Sequence, residues 1–475
     1  MLFNSIEFLL FLPIVFVLYW FVFNKNLKVQ NSLILISSYV FYGWWDYRFL
    51  SLIFLSTIVD YIIGINIPKQ NSEKKQKFLL WCSVLFNLGV LGFFKYYNFF
   101  IDSWIDLLNL VGYEIKSVWT LNIILPVGIS FYTFQTMSYT IDIYRKKLKP
   151  TKDFISFASF VSFFPQLVAG PIERASNLLP QILKKREFNY EQGVQGLRLI
   201  LWGMFKKVVI ADSLAPMVDN IFDNYQDFGG GTLWLGAIYF AFQIYCDFSG
   251  YSDIAIGTSK LFGFELKSNF KFPYFSRNIG EFWRRWHISL STWFRDYLYI
   301  PLGGSKEGKW KSIRNIFVIF LVSGFWHGAN WTFIVWGLFH SIMFLPSFIF
   351  STNRKYTTSI IAENTLLPSA KEFLQVVTTF ILVTISWVFF RSETIDDSIL
   401  YLNKIFFEFD LSPVPIKGVF YILILIFFDF IFKNNSQQIM NFKSPFKIKM
   451  IVLFLLIMIF VHFTDNKPSF IYFQF

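Results

Sequence analysis

The sequence predicts an all-α, polytopic integral membrane protein, and three observations lead to this prediction. Hydrophobic residues make up 55% of the 475-residue chain. Charged residues make up 16%, whereas soluble domains carry about 25%. Apolar runs of about 20 residues, the length that crosses a hydrocarbon core as a helix, recur along the whole chain. This composition excludes disordered and collagenous proteins, and the presence of only two cysteines excludes a disulfide framework.

The apolar runs predict a bundle of about 11–13 membrane-spanning helices in one domain that covers residues 1–475. The first run lacks both a preceding basic region and a following small-residue cleavage site, so we interpret it as a retained helix rather than a signal peptide. The candidate spans are 3–23, 31–46, 49–67, 78–100, 118–143, 195–217, 231–257, 313–330, 331–350, 370–390, 415–433 and 449–464.

The loop charges predict the orientation of these spans. Basic loops at 24–30, 68–77 and 144–153 alternate with an acidic loop at 101–116. Because cytoplasmic loops are enriched in Lys and Arg, the N-terminus and the C-terminus are both predicted to be extracytoplasmic. The Lys and Arg residues of the predicted cytoplasmic loops account for most of the net charge of +12. We therefore expect no nucleic-acid partner.

Two apolar stretches, 154–170 and 282–302, do not fit the alternation as crossings. Both begin and end on the predicted cytoplasmic side, so we interpret them as re-entrant or interfacial segments. Irregular or polar backbone at membrane depth is tolerated only where it is buried in protein or lines a wet cavity. Such segments are therefore typical places for a functional site.

The second of these segments carries a histidine among arginines and tryptophans. If it is one helix, Arg284, His287, Ser291 and Arg295 share a stripe, and Arg285 is a further candidate tunnel residue. One interpretation is an interfacial amphipathic helix with its arginines at lipid headgroups. The other is a helix inside the protein whose polar stripe faces a cavity. A histidine in the middle of the stripe is not required by the first interpretation, and both stay open.

His327 is the strongest candidate for a catalytic group. It lies within Ser323–Trp331, where Gly324 and Gly328 permit close helix approach or a locally opened backbone. Histidine titrates near neutral pH and suits general-base catalysis, whereas a structural histidine does not need small residues on both sides. Further candidate residues around it are Asn330, Trp331 and His340.

The last two histidines are weaker candidates. His340 follows His327 by 13 residues, so the two would face nearly opposite ways if one helix continued through both. If the chain turns near Asn330, His340 can approach the site. His462 lies near the outer end of the last span, where a structural role is the simpler interpretation.

A third candidate group lies in the span 231–257, which otherwise consists mainly of apolar residues. Asp247, Ser249, Tyr251 and Asp253 bring two carboxylates and two hydroxyls to membrane depth. These side chains either line or support the central cavity or form a buried hydrogen-bond network that fixes helix packing. No metal site is expected, because no ligand spacing typical of zinc occurs.

Seven motifs of this chain resemble those of the membrane-bound O-acyltransferase family. The resemblance is to the bacterial branch with alginate O-acetyltransferases and peptidoglycan O-acetylation membrane proteins, and it covers almost the whole chain. The motifs are Leu125–Gln135, Phe164–Arg174, Asp247–Gly257, Phe282–Arg295 with Pro301–Gly304, Ser323–Trp331, Trp336–His340 and the ending Phe470–Phe475.

The resemblance implies a catalytic pair and a reaction. His327 matches the family's catalytic histidine, and His287, 40 residues earlier, matches its partner, which would orient the acyl carbonyl or stabilise developing charge. The implied fold is a helical bundle around a tunnel in the bacterial cytoplasmic membrane. The implied reaction moves an acetyl group, with acetyl-CoA as the expected donor and no permanently bound cofactor, to a cell-surface polysaccharide. An extracytoplasmic hydrolase-fold acetyltransferase is the expected partner.

Two alternatives and one donor contact stay open at this point. The chain could be a transporter or channel without chemistry of its own, although it shows no convincing internal repeat. It could also be a member of the same family that uses a longer acyl chain on a lipid or another acceptor. Three lysines beside Gly303 and Gly304 could attract a CoA phosphate, but topology already explains their charge; they are Lys306, Lys309 and Lys311.

Overall fold

The computed structural model describes residues 1–113, 121, 123–168, 170–363, 365, 367–408, 410, 416–434, 439–442, 444–463 and 470. Every regular element in these residues is helical, which confirms the predicted all-α class. Parts of several predicted features lie outside them: 114–116 of the acidic loop, 118–120 and 122 of the span 118–143, residue 169 of the first re-entrant segment, span ends 415 and 464, and 471–475 of the last motif.

The chain divides into two compact units, and the first comprises residues 1–189 and 261–266. Its α-helices are α1 (Ile6–Val17), α2 (Leu27–Asp46), α3 (Leu50–Asn66), α4 (Glu73–Leu91), α5 (Tyr97–Leu110), α6 (Ile129–Tyr144), α7 (Phe154–Val161), α8 (Phe164–Leu167) and α9 (Ala175–Ile182). Nearly all of α6 is buried. Asp60 of α3 accepts hydrogen bonds from Ser83 and Asn87 of α4 at 2.5 and 2.8 Å, so a buried polar group joins these two helices.

The second unit comprises residues 190–260 and 267–475. Its α-helices in the described residues are α10 (Tyr190–Met204), α11 (Asp212–Asp223), α12 (Gly230–Leu261), α13 (Ile279–Arg285), α14 (Ile288–Phe294), α15 (Lys309–His327), α16 (Trp331–Ile349), α17 (Ala370–Arg391), α18 (Ile395–Phe407), α19 (Lys417–Phe432) and α20 (Pro445–His462). A π-helical segment, Phe205–Ala211, connects α10 to α11.

Five helical stretches among the described residues are long and apolar enough to cross a membrane. They are Leu27–Lys69, Glu73–Leu110, Trp331–Ile349, Ala370–Arg391 and Pro445–His462. Several other predicted spans coincide with helices that carry more charge or are shorter, such as α10, α11 and α19. The larger total of about 11–13 spans stays a prediction.

Three boundaries differ from the sequence predictions. The predicted loop 101–116 is helical as far as Leu110, because α5 continues the helix of α4 through the π-helical segment Gly92–Tyr96. The helix within the predicted span 118–143 begins only at Ile129, after Gly128, whose φ of 77° interrupts helical geometry. Residues 282–302 are not one helix, as described below.

Candidate functional site

The two main candidate histidines lie at helix ends. His327 is the last residue of α15, and His287 directly precedes α14. The backbones of α15 and α16 touch at Gly324 and Gly337, where a Cβ would clash with a backbone oxygen of the other helix. This confirms the predicted close helix approach near His327, and it brings Trp336 of α16 beside His327, with ring centroids 5.0 Å apart.

His327 is buried, and one of its ring nitrogens has a defined partner. Nδ1 lies 2.6 Å from the backbone oxygen of Ser323, one helical turn earlier. A carbonyl oxygen can only accept, so Nδ1 carries the hydrogen. In the neutral ring the lone pair is then on Nε2, the atom that can take a proton from a substrate.

His287 sits at a break in the chain rather than in the middle of a helix. Trp286 is extended, and His287 has φ 43° and ψ 54°, the left-handed region that non-glycine residues rarely adopt. The prediction that Arg284, His287, Ser291 and Arg295 share one helical stripe is therefore wrong. The break turns His287 into the interior, where it is completely buried.

Asn269 holds His287 in this conformation, and sequence analysis missed it. Its Oδ1 accepts from the backbone N–H of Ser289 at 3.2 Å and from the Ser289 hydroxyl at 2.9 Å, and it lies 3.2 Å from Nδ1 of His287. Because this oxygen is the acceptor, Nδ1 of His287 is the donor, and the neutral ring has its lone pair on Nε2. The backbone oxygen of Asn269 also accepts from the N–H of Ile288. Nothing in the residue type or spacing indicated this contact.

The structure brings the two histidines together. Their ring centroids are 6.4 Å apart at an interplanar angle of 81°. The Trp326 ring lies 5.9 Å from His287 and 5.0 Å from His327. Two imidazoles with fixed tautomers at this separation can both contact one substrate group, and a neutral imidazole can serve as a general base.

Segment 282–302, which the break at His287 interrupts, contributes arginines and a serine to the lining of two cavities in the second unit. One, which we call the cationic cavity, has a volume of about 470 Å³, and none of the described residues that line it is acidic. Arg284 there also donates to the backbone oxygen of Asn353. Its basic and hydroxyl-bearing lining residues are Lys271, Arg284, Arg285, Ser291, Thr292, Arg295, Tyr356, Thr357, Thr358 and Lys433.

The other, which we call the apolar cavity, has a volume of about 500 Å³. It shares Trp283, Ser291 and Arg295 with the cationic cavity. Along α15 its lining extends from Ile316 to Ser323, the residue whose oxygen holds His327. Its apolar lining consists of Trp283, Leu290, Phe294, Ile316, Ile319, Phe320, Phe344 and Phe348.

The three lysines of the predicted phosphate contact do not line the cationic cavity, and that contact stays a prediction; they are Lys306, Lys309 and Lys311. Lys311 instead forms an exposed ion pair with Glu307 at 2.9 Å.

The polar residues of α12 form ion pairs with a lysine pair that sequence analysis passed over. Lys207 contacts Asp247 at 2.7 Å and Asp212 at 2.8 Å. Lys206 contacts Asp253 at 2.8 Å and donates to the hydroxyl of Ser249 at 2.8 Å. The ring of Tyr251 lies 6.0 Å from the Lys207 ammonium. Neither cavity is lined by these residues, so the contacts favour the packing interpretation. The adjacent residues Lys206 and Lys207 lie inside the predicted span 195–217, and charged residues at that depth could have indicated buried ion pairs.

His340 is buried at the end of a defined hydrogen-bond chain. Trp283 Nε1–H donates to His340 Nδ1 at 3.3 Å, and His340 Nε2 then donates to the Ser386 hydroxyl at 3.0 Å, which donates to the Val383 oxygen at 2.6 Å. The chain turns at Gly328–Asn330, so His340 approaches the site, and the Trp336 ring contacts both His340 and His327. Both ring nitrogens have partners, which indicates a structural role.

The remaining candidates have other hydrogen-bond partners or are exposed. Asn330 caps α16 through the N–H of Thr332 and donates to the backbone oxygen of Glu393. Trp331 is exposed. His462 donates to the Met458 oxygen and lies 3.1 Å from the Tyr421 hydroxyl, as expected for a structural histidine.

Comparison with known proteins identifies the family of this chain. The model of the membrane-bound O-acyltransferase family matches residues 114–360. The chain is 42% identical to a probable alginate O-acetylase AlgI of Azotobacter vinelandii over 83% of this chain and 76% of that protein. It is 43% identical to the corresponding Pseudomonas aeruginosa protein over 83% and 73% of the two chains. It is 36% identical to a peptidoglycan O-acetyltransferase of Helicobacter pylori over 85% and 79%. The chain belongs to the membrane-bound O-acyltransferase family, and it is an acyltransferase of multi-pass membrane type.

Proposed function

We propose that this enzyme transfers an acetyl group from cytoplasmic acetyl-CoA to hydroxyl groups of a cell-surface polysaccharide. The observation that supports this most is the pairing of His287 and His327 in a chain whose relatives are named for alginate and peptidoglycan O-acetylation. In this proposal the whole chain 1–475 acts as one domain in the bacterial cytoplasmic membrane, with both termini extracytoplasmic. The acetyl groups reach the polymer either directly, as in the mechanism below, or through an extracytoplasmic hydrolase-fold acetyltransferase, the proposed partner.

The cationic cavity is the proposed site of the donor's phosphates. Five basic side chains line it without an acidic residue among its described lining, and guanidinium groups match phosphate oxygens in geometry and charge. The apolar cavity adjoins it and would take the donor's uncharged arm. Its lining follows α15 from Ile316 to Ser323, about 10 Å of helix, toward His327.

His327 is the proposed general base. Its Nε2 takes the proton of the accepting hydroxyl, whose oxygen attacks the thioester carbonyl carbon. The C–O bond of the new ester forms, the C–S bond breaks, and His327 returns the proton to the departing sulfur. The Ser323 oxygen keeps Nδ1 protonated throughout, so that Nε2 stays the proton-accepting atom.

His287 is the proposed positioning group for the acceptor. Its neutral ring carries the lone pair on Nε2, because Nδ1 donates to Asn269. An atom with a lone pair accepts hydrogen bonds and offers none to a carbonyl oxygen or an oxyanion, so neither orienting the acyl carbonyl nor stabilising developing charge is the role proposed for it. The reacting hydroxyl gives its only hydrogen to His327. His287 would therefore accept from a neighbouring hydroxyl of the same sugar.

The first test compares His327→Ala with His462→Ala, a histidine outside the site. Purified protein in proteoliposomes receives radiolabelled acetyl-CoA and a soluble polysaccharide. We expect His327→Ala to lose acetyl transfer by about 10²–10⁴-fold with a normal folded yield, and His462→Ala to retain it. A folded His327→Ala protein with full activity would refute the mechanism. Failure of the unmodified enzyme to transfer acetyl, with solute passage instead, would favour a transporter.

A second test concerns the donor. Arg284→Gln should raise the KM for acetyl-CoA, whereas Lys311→Gln, which lies outside the cationic cavity, should not. Acyl-CoA donors of increasing chain length then distinguish an acetyltransferase from an enzyme for longer chains.

A further inference from the structure

We propose that the indole N–H of Trp336 donates a hydrogen bond to the acyl carbonyl oxygen as negative charge develops on it. The inference rests on the proposed function and adds a catalytic group to it. The proposed mechanism has a base, His327, and an acceptor-positioning group, His287. It has no donor for the oxyanion, although such donors often supply the largest single contribution to acyl-transfer catalysis.

Trp336 has an unused hydrogen-bond donor in the interior. Its side chain is 0% exposed. Nε1 is buried and has no hydrogen-bond partner among the described residues. Leaving such a donor unsatisfied costs about 1–3 kcal/mol, and the great majority of buried polar atoms avoid it. A phenylalanine would fill much of the same space without that cost, so the N–H requires an explanation.

The neighbouring side chains do not supply an acceptor. His340 lies 4.7 Å from Trp336 between ring centroids, but its Nδ1 accepts from Trp283 and its Nε2 donates to Ser386. The Trp387 and Phe390 rings, at 5.8 and 5.3 Å, offer only aromatic surfaces. No acceptor among the described residues, His327 included, lies within hydrogen-bond distance of the Trp336 N–H, so this N–H is available to an acceptor that the substrate brings.

The position of Trp336 fits this role. Its ring centroid is 5.0 Å from that of His327 at an interplanar angle of 69°. The contacts of Gly324 and Gly337 hold α15 and α16 together, so the separation of base and donor is built into the helical hairpin. A preorganised N–H in a dry site stabilises developing charge strongly, because no solvent dipoles must reorganise.

The step balances with this donor included. The hydroxyl oxygen attacks the thioester carbon, His327 takes the hydroxyl proton, and the carbonyl electron pair moves to the oxygen that Trp336 hydrogen-bonds. That electron pair then returns, the C–S bond breaks, and the sulfur receives the proton from His327. Trp336 keeps its hydrogen throughout.

The test replaces the N–H while keeping the ring. In the full-length enzyme, Trp336→Phe and a variant with benzothienylalanine at position 336, in which sulfur replaces N–H, are compared with Trp202→Phe, a buried tryptophan elsewhere in the second unit. We expect kcat to fall by about 10²–10³-fold in both position-336 variants, with KM for acetyl-CoA nearly unchanged. Trp202→Phe should retain kcat per folded molecule.

The outcomes separate this inference from the proposed function. If His327→Ala is inactive while the benzothienylalanine variant retains full kcat, the Trp336 inference is wrong and the general-base mechanism stands. If folded His327→Ala retains full acetyl transfer, the general-base mechanism fails; if the unmodified enzyme transfers no acetyl group, the proposed function itself fails. A loss confined to Trp336→Phe, with full kcat in the benzothienylalanine variant, would show a packing role and overturn the inference.

Discussion

Two groups of buried polar side chains in the second unit differ in how their hydrogen-bonding capacity is used. In the lysine network, formed by Lys206, Lys207, Asp212, Asp247 and Asp253, each ammonium pairs with carboxylates at 2.7–2.8 Å. In the histidine site, formed by His287, His327, Trp336 and Asn269, one nitrogen of each imidazole is fixed by an acceptor, and the indole N–H has none among the described residues.

The difference favours a packing role for the lysine network and supports the proposed chemical role of the histidine site. Buried charges that pair with each other hold helices in register, and removing one partner leaves another charge stranded. Neutral groups with fixed tautomers and one unmet donor have capacity left for a substrate. Variants in the lysine network should therefore change stability, whereas variants in the histidine site should change activity.

The largest expected effect is on stability, from Lys207→Ala. The substitution leaves Asp247 and Asp212 without their shared cation, so the free energy of unfolding should fall by about 3–5 kcal/mol. Unfolding in detergent, followed by tryptophan fluorescence, measures it. Lys311→Ala, in an exposed pair, serves as the control and should leave stability unchanged. Normal stability in Lys207→Ala would contradict the packing role.

The next effect is on activity, from Asn269→Ala. Without the Asn269 oxygen, His287 loses the group that holds its ring, and a displacement of about 1 Å can lower the rate by about 10²-fold. Asn269→Asp keeps an acceptor oxygen and should retain more activity than Asn269→Ala. The rate of acetyl transfer, measured on equal amounts of folded protein, checks this. Equal rates in the unmodified enzyme, Asn269→Ala and Asn269→Asp would contradict the positioning role of Asn269.

A smaller effect is expected from His340→Phe. Phenylalanine supplies an aromatic ring of similar size, but the Trp283 N–H loses its acceptor. The free energy of unfolding should therefore fall by about 1–3 kcal/mol. Acetyl transfer per folded molecule should decrease less than in Asn269→Ala. A loss of transfer as large as that of His327→Ala, without a loss of stability, would place His340 in the catalytic site instead.

The smallest effect is expected from Asp247→Asn. Lys207 keeps Asp212 as a counter-charge, so the change in stability should be about 1 kcal/mol or less. Activity per folded molecule should stay normal, because Asp247 lines neither cavity. A large specific loss of acetyl transfer would show that the α12 carboxylates act on the substrate after all.

Composition and motifs determined much about this protein. Apolar runs are enough to predict a helical membrane protein, because the hydrocarbon core imposes length and polarity on every span. Small residues in the motif around His327 indicated a close helix approach or a locally opened backbone, and the structure shows the close approach at Gly324, with Gly337 as its counterpart on α16. The family followed from the same motifs.

Only the tertiary structure decided the geometry of the site. The Asn269 amide that fixes His287 lies 18 residues away in sequence, and the acceptor that fixes His327 is the backbone oxygen of Ser323, which residue identity does not reveal. The left-handed conformation of His287 broke the helix that periodicity predicted, because tertiary hydrogen bonds outweighed local preference. Whether an indole N–H has an acceptor likewise depends on every atom around it in space. The sequence does not reveal that the Trp336 N–H lacks one among the described residues, because the neighbours of Trp336 are set by how the helices pack.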